Sequence, residues 1–246
     1  MNRPRALWRL ARFGVHGLHC IGVCALVFPF LDARARSRRV GWACAKALRC
    51  LGIGLRAHGA ARPGPVLLVA NHVSWLDILA VNAVQPARFV SKADVQSWPV
   101  LGWIIACGGT LFIQRERKRD AMRVLHEVAA ALHAGDVIAV FPEGTTGDGR
   151  NLLPFHANLL QAAVKTGTAA QPLALRYSDA NSARSEAALW VGETTLVQSL
   201  WRIAGADRLT VTVRLLAPMP SADVERRELA RRASECIGAA LDEVGC

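Results

Sequence analysis

Two residues in the chain, His72 and Asp77, are spaced for acid–base chemistry. They follow directly on the apolar run Val66–Ala70, which predicts a buried strand, and residues 75–84 carry apolar side chains at helical spacing. His72 is therefore expected at the exit of a strand, and Asp77 in the first turn of the next helix. A histidine there can take a proton from a hydroxyl, and a carboxylate one turn away can orient the imidazole and stabilise its cation.

The same segment also has a purely structural interpretation. Ser74 and Asp77 have the spacing of a capping box, with Ser74 at the N-cap of the helix and Asp77 at its third position. The two interpretations are compatible, because a capped helix start would fix Asp77 close to His72.

A second polar segment follows a second buried run about 70 residues later. It reads Phe141-Pro142-Glu143-Gly144-Thr145 and comes directly after the apolar residues 137–141. Gly144 would allow close approach of another backbone. Proline and glycine also favour an ordinary polar turn, so this segment alone assigns no chemistry.

Strands and helices alternate through most of the chain. The predicted strands are continuous apolar runs, which is typical of a sheet covered by helices on both faces. We predict an α/β fold: a single domain over residues 61–246, with a mixed, largely parallel sheet, preceded by an N-terminal helical membrane-binding motif over residues 1–60. Two further expectations are a strand over 187–191 and a last helix over 221–244 with Ser221 as its N-cap.

The positive charge is concentrated at the N-terminus. The net charge is +11, and residues 1–60 hold 11 Lys or Arg against one acidic residue. Arginines flank an uncharged stretch, residues 13–31, that is near the ~20 residues needed to cross a bilayer. We interpret it as a membrane-embedded or interfacial anchor held by anionic headgroups, with a single span left open. A nucleic-acid binder would need interleaved stacking aromatics or a recognition helix, and neither is present.

The histidines and cysteines do not form a metal-binding pattern. His126 and His133 are predicted on one helical face, but no carboxylate or cysteine completes a set there. The seven cysteines include no C-x-x-C pair, so we expect small buried side chains in a reducing compartment, and no metal.

Four blocks give the chain a family resemblance. In order, these are Asn71-His72-x-Ser74-x-x-Asp77, residues 109–115 ending in Phe112-Ile113-Gln114-Arg115, residues 141–145, and Gln171-Pro172-Leu173-Ala174-Leu175. In type, order and spacing they resemble the motifs of the glycerolipid acyltransferase family, which includes the 1-acylglycerol-3-phosphate acyltransferases.

The resemblance implies a role for each residue of the first motif. His72 would be the general base that deprotonates an acceptor hydroxyl for attack on an acyl thioester, carried by acyl-carrier protein or coenzyme A. Asp77 would hold the imidazole in the useful tautomer. Such assistance is worth roughly 100- to 10,000-fold in rate. The family needs no cofactor and no metal, and forms no covalent acyl-enzyme.

The second and third motifs would bind the acceptor. The resemblance implies that Arg115 binds its headgroup through charge-assisted bonds, although Arg115 also begins a charged run typical of a solvated face. Glu143 would accept a hydrogen bond from an acceptor hydroxyl or clamp Arg115, with Gly144 and Thr145 beside it.

One position departs from the family pattern. Thr146 stands where much of the family has an arginine. Either Arg150 or Lys92 replaces that cation, or the acceptor is not a simple phosphate ester. The Phe-Pro-Glu-Gly-Thr-Thr form of the third motif, together with residues 91–103, resembles bacterial members that act on lyso-ornithine lipid as well as those that act on lysophosphatidate.

The resemblance therefore implies acyl transfer to a lysophospholipid at the cytoplasmic face of a bacterial inner membrane. The first expectation is conversion of 1-acylglycerol-3-phosphate to phosphatidic acid. The alternatives are a lyso-ornithine lipid O-acyltransferase and a catalytically silent membrane lipid-binding protein.

Overall fold

The computed structural model describes residues 3–113 and 118–243 of the 246-residue chain. The helices are α1 (Arg3–Leu26), α2 (Ala33–Leu51), α3 (Leu76–Val84), α4 (Leu101–Cys107), α5 (Lys118–His133), α6 (Gln161–Thr166), α7 (Leu196–Gly205) and α8 (Arg226–Asp242). The strands are β1 (Gly54–His58), β2 (Val66–Ala70), β3 (Arg88–Lys92), β4 (Leu111–Ile113), β5 (Val137–Val140), β6 (Ala170–Ser178) and β7 (Thr210–Leu215).

Within the described ranges, seven strands form one sheet in the order β1-β7-β6-β2-β5-β3-β4. All neighbouring strands run parallel except β6 and β7, which are antiparallel. The predicted mixed, largely parallel sheet is confirmed. Strand β2 lies near the middle, between β5 and β6, so the residues that follow it lie at the centre of one sheet edge.

Helices cover both faces of the sheet, which explains the continuous apolar runs. In β2, Val66, Leu68 and Ala70 join a core with α2, α3 and α7, whereas Leu67 and Val69 join a core with α5, α6 and α8. All five side chains are almost fully buried. Burying one such leucine or valine contributes about 1.5–3 kcal/mol, so a strand clad on both sides has no position for a polar residue.

The N-terminal helices pack against the rest of the fold. Helix α2 begins at Ala33, where the Asp32 carboxylate accepts a hydrogen bond from Ala35 N–H at 2.7 Å and caps the helix. The Arg9 guanidinium of α1 donates to the carbonyls of Ala204 and Ala206 at the end of α7. Strand β1, which follows α2, pairs with β7. The division into two parts at residue 60 stays a prediction.

Over the described part of the chain, no helix is both long enough and apolar enough to cross a membrane.

Two predictions of secondary structure were wrong. Residues 187–191 are not a strand: a short 3₁₀ helix, Glu186–Ala188, starts where the Ser185 hydroxyl caps Ala187 N–H, and β7 takes the place beside β6. Helix α8 begins at Arg226 rather than after Ser221. The buried Ser221 hydroxyl instead donates to the carbonyls of Ala163 and Thr168, tying the segment before α8 to α6.

Candidate active site

The predicted site residues follow the carboxyl ends of β2 and β5. Asn71, the first residue after β2, fixes the chain to β6. Its amide nitrogen donates to Leu175 O at 3.0 Å, and its amide oxygen accepts from Leu175 N–H at 2.7 Å. These two hydrogen bonds extend the ladder between β2 and β6 by one pair and hold the loop after β2 against the sheet. Asn71 belongs to the first motif, but its role could not be predicted from the sequence.

His72 and Asp77 are brought together as predicted. His72 Nδ1 lies 2.9 Å from Asp77 Oδ2; the histidine side chain is 18% exposed and the aspartate side chain fully buried. An ionised carboxylate can only accept, so Nδ1 carries the proton and Nε2 keeps its lone pair. That tautomer can accept a proton from a neighbouring hydroxyl.

The backbone before α3 also binds Asp77. Oδ2 accepts hydrogen bonds from Val73 N–H at 2.7 Å and from Ser74 N–H at 2.9 Å. The Ser74 bond is half of the predicted capping box; in place of the other half, the Ser74 hydroxyl accepts from Leu76 N–H at 3.4 Å. The carboxylate thus has both the structural and the orienting role that the spacing suggested.

Tyr177 is a site residue that sequence reasoning missed. Its hydroxyl donates to Asp77 Oδ1 at 2.7 Å, and its ring is buried in the core. Burial, and then the charge of Asp77, raise the pKa of Tyr177 well above its usual value. The tyrosine therefore stays a neutral donor. The one signal in the sequence is that the chain's single tyrosine lies in an apolar strand.

Glu143 contacts the backbone of the histidine. Oε1 accepts from His72 N–H at 2.7 Å, and Oε2 accepts from Leu153 N–H at 3.0 Å. The residue is buried, and this burial raises the pKa of its carboxyl, while the two backbone hydrogen bonds oppose the rise. Holding the His72 backbone is a role that the sequence did not predict. Its predicted contact with the acceptor stays a prediction.

Two more contacts tie the loop after β5 to His72. The Phe141 ring is stacked on the imidazole, with centroids 4.0 Å apart and planes 9° from parallel. Gly147 N–H donates to His72 O at 2.8 Å, and a Cβ at Gly147 would lie 3.3 Å from Glu143 Oε2. Gly144 has φ of 74°, which a side chain would strain, and its N–H donates to Phe141 O at 3.1 Å. Gly147 is thus packed closely against the loop that carries His72, and the close approach expected of Gly144 stays a prediction.

The predicted headgroup residues are more dispersed. Thr145 is exposed, and the Thr146 hydroxyl donates to the carbonyl of Trp190. Arg150 is exposed and pairs with Glu186 at 3.1 Å. Arg115 and the side chain of Lys92 lie outside the described residues. Among the groups that are described, no cluster of three or more His, Cys, Asp or Glu side chains could hold a metal.

Comparison with known proteins defines the class. Residues 55–176 match the family model described as Acyltransferase, a range that contains all four blocks. The fold resembles the crystal structure of the 1-acyl-sn-glycerophosphate (LPA) acyltransferase from Thermotoga maritima, with a TM-score of 0.74 over 99% of this chain and 97% of that one. Since the identity is 20%, that likeness concerns the fold.

Sequence relatives place the chain within that class. It is 36% identical to a lyso-ornithine lipid O-acyltransferase of Pseudomonas aeruginosa, over 98% of this chain and 95% of the relative. It is 38% identical to a 1-acyl-sn-glycerol-3-phosphate acyltransferase of Neisseria gonorrhoeae, over 79% and 76%. The chain therefore belongs to the acyltransferase family, and the predicted family and enzyme class are confirmed.

Proposed function

We propose that this enzyme transfers a fatty acyl group from an acyl-carrier-protein or coenzyme A thioester to the hydroxyl of a lysolipid. The observation that carries the proposal is the His72–Asp77 bond, which commits Nδ1 to the carboxylate and leaves Nε2 as a base. Support for a lysolipid acceptor comes from the relatives, whose names describe acylation of two lysolipids.

The reaction proceeds by direct transfer. Nε2 of His72 takes the hydroxyl proton as the acceptor oxygen forms a bond to the thioester carbonyl carbon. The tetrahedral intermediate then breaks its carbon–sulfur bond and expels the thiolate. The imidazolium returns the proton to the sulfur, which leaves ester, free thiol and neutral histidine. Asp77 stabilises the imidazolium formed in between.

The loop after β5 has two roles in this scheme. Glu143 and Gly147 hold the amide and the carbonyl of His72, so the base keeps its place on the sheet edge. We propose that the other groups around this loop contact the acceptor: Gly144, Thr145 and Thr146 from the loop, with Arg115 as the main headgroup cation and Lys92 or Arg150 as a further one.

The main proposal for the acceptor is 1-acylglycerol-3-phosphate, which would give phosphatidic acid. The alternative acceptor is lyso-ornithine lipid, and an observation at position 146 favours it. At position 146 the side chain is a threonine whose hydroxyl is used by Trp190 O, so this position supplies no cation for a phosphate. Arg150, the next cation along, is already paired with Glu186.

We propose that the protein works on a membrane surface, because both candidate acceptors are membrane lipids. On α1 the side chains of Trp8, Val15, Leu18 and Leu26 are 65–74% exposed and recur at helical spacing on one face. Arg3 and Arg12 are exposed in the first half of this helix, and Arg34 and Arg38 are exposed in the first turns of α2. Each adds about 1 kcal/mol of attraction to an anionic lipid surface. A thioester donor from the cytosol then implies the cytoplasmic face of the inner membrane.

The test is an acyl-transfer assay with purified protein, a labelled acyl thioester and two acceptors, 1-acylglycerol-3-phosphate and lyso-ornithine lipid. The proposal expects labelled product with one of them, and the preferred one identifies the acceptor. Thr146→Arg should move preference towards the phosphate-bearing lipid. Binding of lipid by folded protein without transfer to either acceptor would instead support a silent lipid-binding protein.

A further inference from the structure

We propose that Tyr177 is a positioning residue for acyl transfer, acting on His72 through Asp77. The inference rests on the proposed function, because it concerns the same base. It gives a role to a residue outside the four sequence blocks.

The two oxygens of Asp77 are bound from different parts of the fold. Oδ2 takes three hydrogen bonds from the loop and ring next to it in sequence, donated by His72, Val73 and Ser74. Oδ1 takes the hydrogen bond of Tyr177, which is 100 residues away. Because these local bonds all reach one oxygen, they restrain the plane of the carboxylate less than bonds to both oxygens would. A donor on the second oxygen fixes its plane, and with it the direction in which Oδ2 meets the imidazole.

Tyr177 is itself held firmly. Its residue pairs with Val211 of β7 in the sheet, and its carbonyl accepts from Ser185 N–H at 2.8 Å. The ring is 3% exposed and belongs to the core between the sheet and α3. The hydroxyl position is therefore set by the sheet, while Asp77 lies on the helix. The hydrogen bond therefore fixes the Asp77 carboxylate, which α3 carries, relative to His72, which follows strand β2.

The hydroxyl also affects charge. Its dipole points its positive end at Asp77 and so weakens the field that favours a cation on the imidazole. The ionisable groups that the structure puts next to His72 are Asp77 from α3 and Glu143 from the loop after β5, with Tyr177 of β6 behind Asp77. Loss of the hydroxyl should make the histidine easier to protonate, so the acid limb of the activity profile should move to higher pH.

Tyr177→Phe isolates this effect, because it keeps the buried ring and removes the hydroxyl. Ser221→Ala is the matched control: it removes another fully buried hydroxyl, whose partners are the carbonyls of Ala163 and Thr168 and not the site. Both variants should lose some stability. We expect Tyr177→Phe to lower kcat roughly tenfold or more with little change in KM, because a base held out of line with the acceptor hydroxyl costs large rate factors.

The experiment combines the kinetic pH profile with proton spectra of histidine-labelled protein, in which the His72 signal is assigned by its loss in His72→Ala. The proposal expects that Tyr177→Phe lowers kcat, moves the acid limb to higher pH and shifts the Nδ1–H resonance, while Ser221→Ala changes none of them. An active wild type whose kcat, pH profile and resonance are all unaffected by Tyr177→Phe would overturn it. If the wild type acylates no lysolipid, the proposed function fails, and the resonance alone decides whether Tyr177 acts on His72.

Discussion

The Phe141 ring lies flat on the His72 imidazole, with centroids 4.0 Å apart. Two residues later in the chain, Glu143 binds the amide of the same histidine, and Gly147 binds its carbonyl. One short loop after β5 therefore fixes the base by its ring, its amide and its carbonyl. The third motif therefore holds the histidine of the first motif in place, a relationship that the sequence alone does not reveal.

Replacing Phe141 tests the value of the stack. Phe141→Leu keeps an apolar side chain but loses the flat surface, so the imidazole can tilt away from the acceptor. We expect kcat to fall at least about tenfold, as misplaced reacting groups cost large rate factors. The matched control is Phe89→Leu, since Phe89 packs on Phe141 at 5.6 Å and does not stack on His72. Equal kcat losses for the two variants would contradict a specific role for the stack.

Replacing Glu143 tests the backbone anchor. In Glu143→Gln, one carboxylate oxygen becomes an NH₂ group that must face the N–H of His72 or Leu153. We expect a loss of roughly 1–3 kcal/mol in the free energy of unfolding, measured in urea, because a buried amide loses its acceptor. The activity of the folded fraction should fall as well. The matched control is Glu127→Gln, which breaks an exposed ion pair with Arg123. It should lower the free energy of unfolding by less than about 1 kcal/mol.

The chain's single tyrosine provides a pH test. The pKa of Tyr177 is raised well above its usual value of 10.0 by burial and by Asp77. Since the folded-state pKa lies above the unfolded one, the stabilisation is present in full below about pH 10 and is lost as pH rises towards the raised value. Ultraviolet absorbance near pH 10 should show no tyrosinate in the native protein, and about half of the tyrosine ionised once the protein is unfolded. A native titration at the usual pH would contradict the buried bond to Asp77.

The exposed face of α1 gives a prediction for membrane binding. Replacing Val15 and Leu18 together by glutamate puts two charges on that face, so binding to vesicles that contain anionic lipid should weaken at least about tenfold. Met122→Glu is the control, because Met122 is 50% exposed on α5, which covers the opposite face of the sheet. Sedimentation with the vesicles measures both variants. A similar effect of the two changes would argue against docking through α1.

The sequence predicts what depends on local pattern. The apolar runs of β2 and β5 and the spacing of His72 and Asp77 all lie within short windows, and the structure agrees with them. The Tyr177–Asp77 bond joins residues 100 positions apart and depends on the pairing of β6 with β2, the strand that leads to Asp77. No periodicity could supply it. The strand predicted over residues 187–191 was wrong for a related reason. Their apolar character suits a strand, but the position beside β6 in the sheet is occupied by β7.

One cap prediction was wrong and another was met in half. Ser221 follows a proline and precedes a helical pattern, so it resembles an N-cap, yet its hydroxyl donates to two carbonyls near α6, which is a tertiary contact. At Ser74, half of the predicted capping box is present, since Asp77 Oδ2 accepts from Ser74 N–H. The Ser74 hydroxyl accepts from Leu76 N–H in place of Asp77 N–H, so here the local turn decides the partner.

The most direct measurement is the rate of labelled acyl transfer to lysolipid by wild type, His72→Ala and His126→Ala, compared at equal amounts of folded protein. His126 is exposed on α5 and serves as the control. We expect His72→Ala to lose roughly 100- to 10,000-fold in kcat, the contribution of a general base, and His126→Ala to keep wild-type activity. Transfer by His72→Ala at the wild-type rate would contradict the role of His72 as the base.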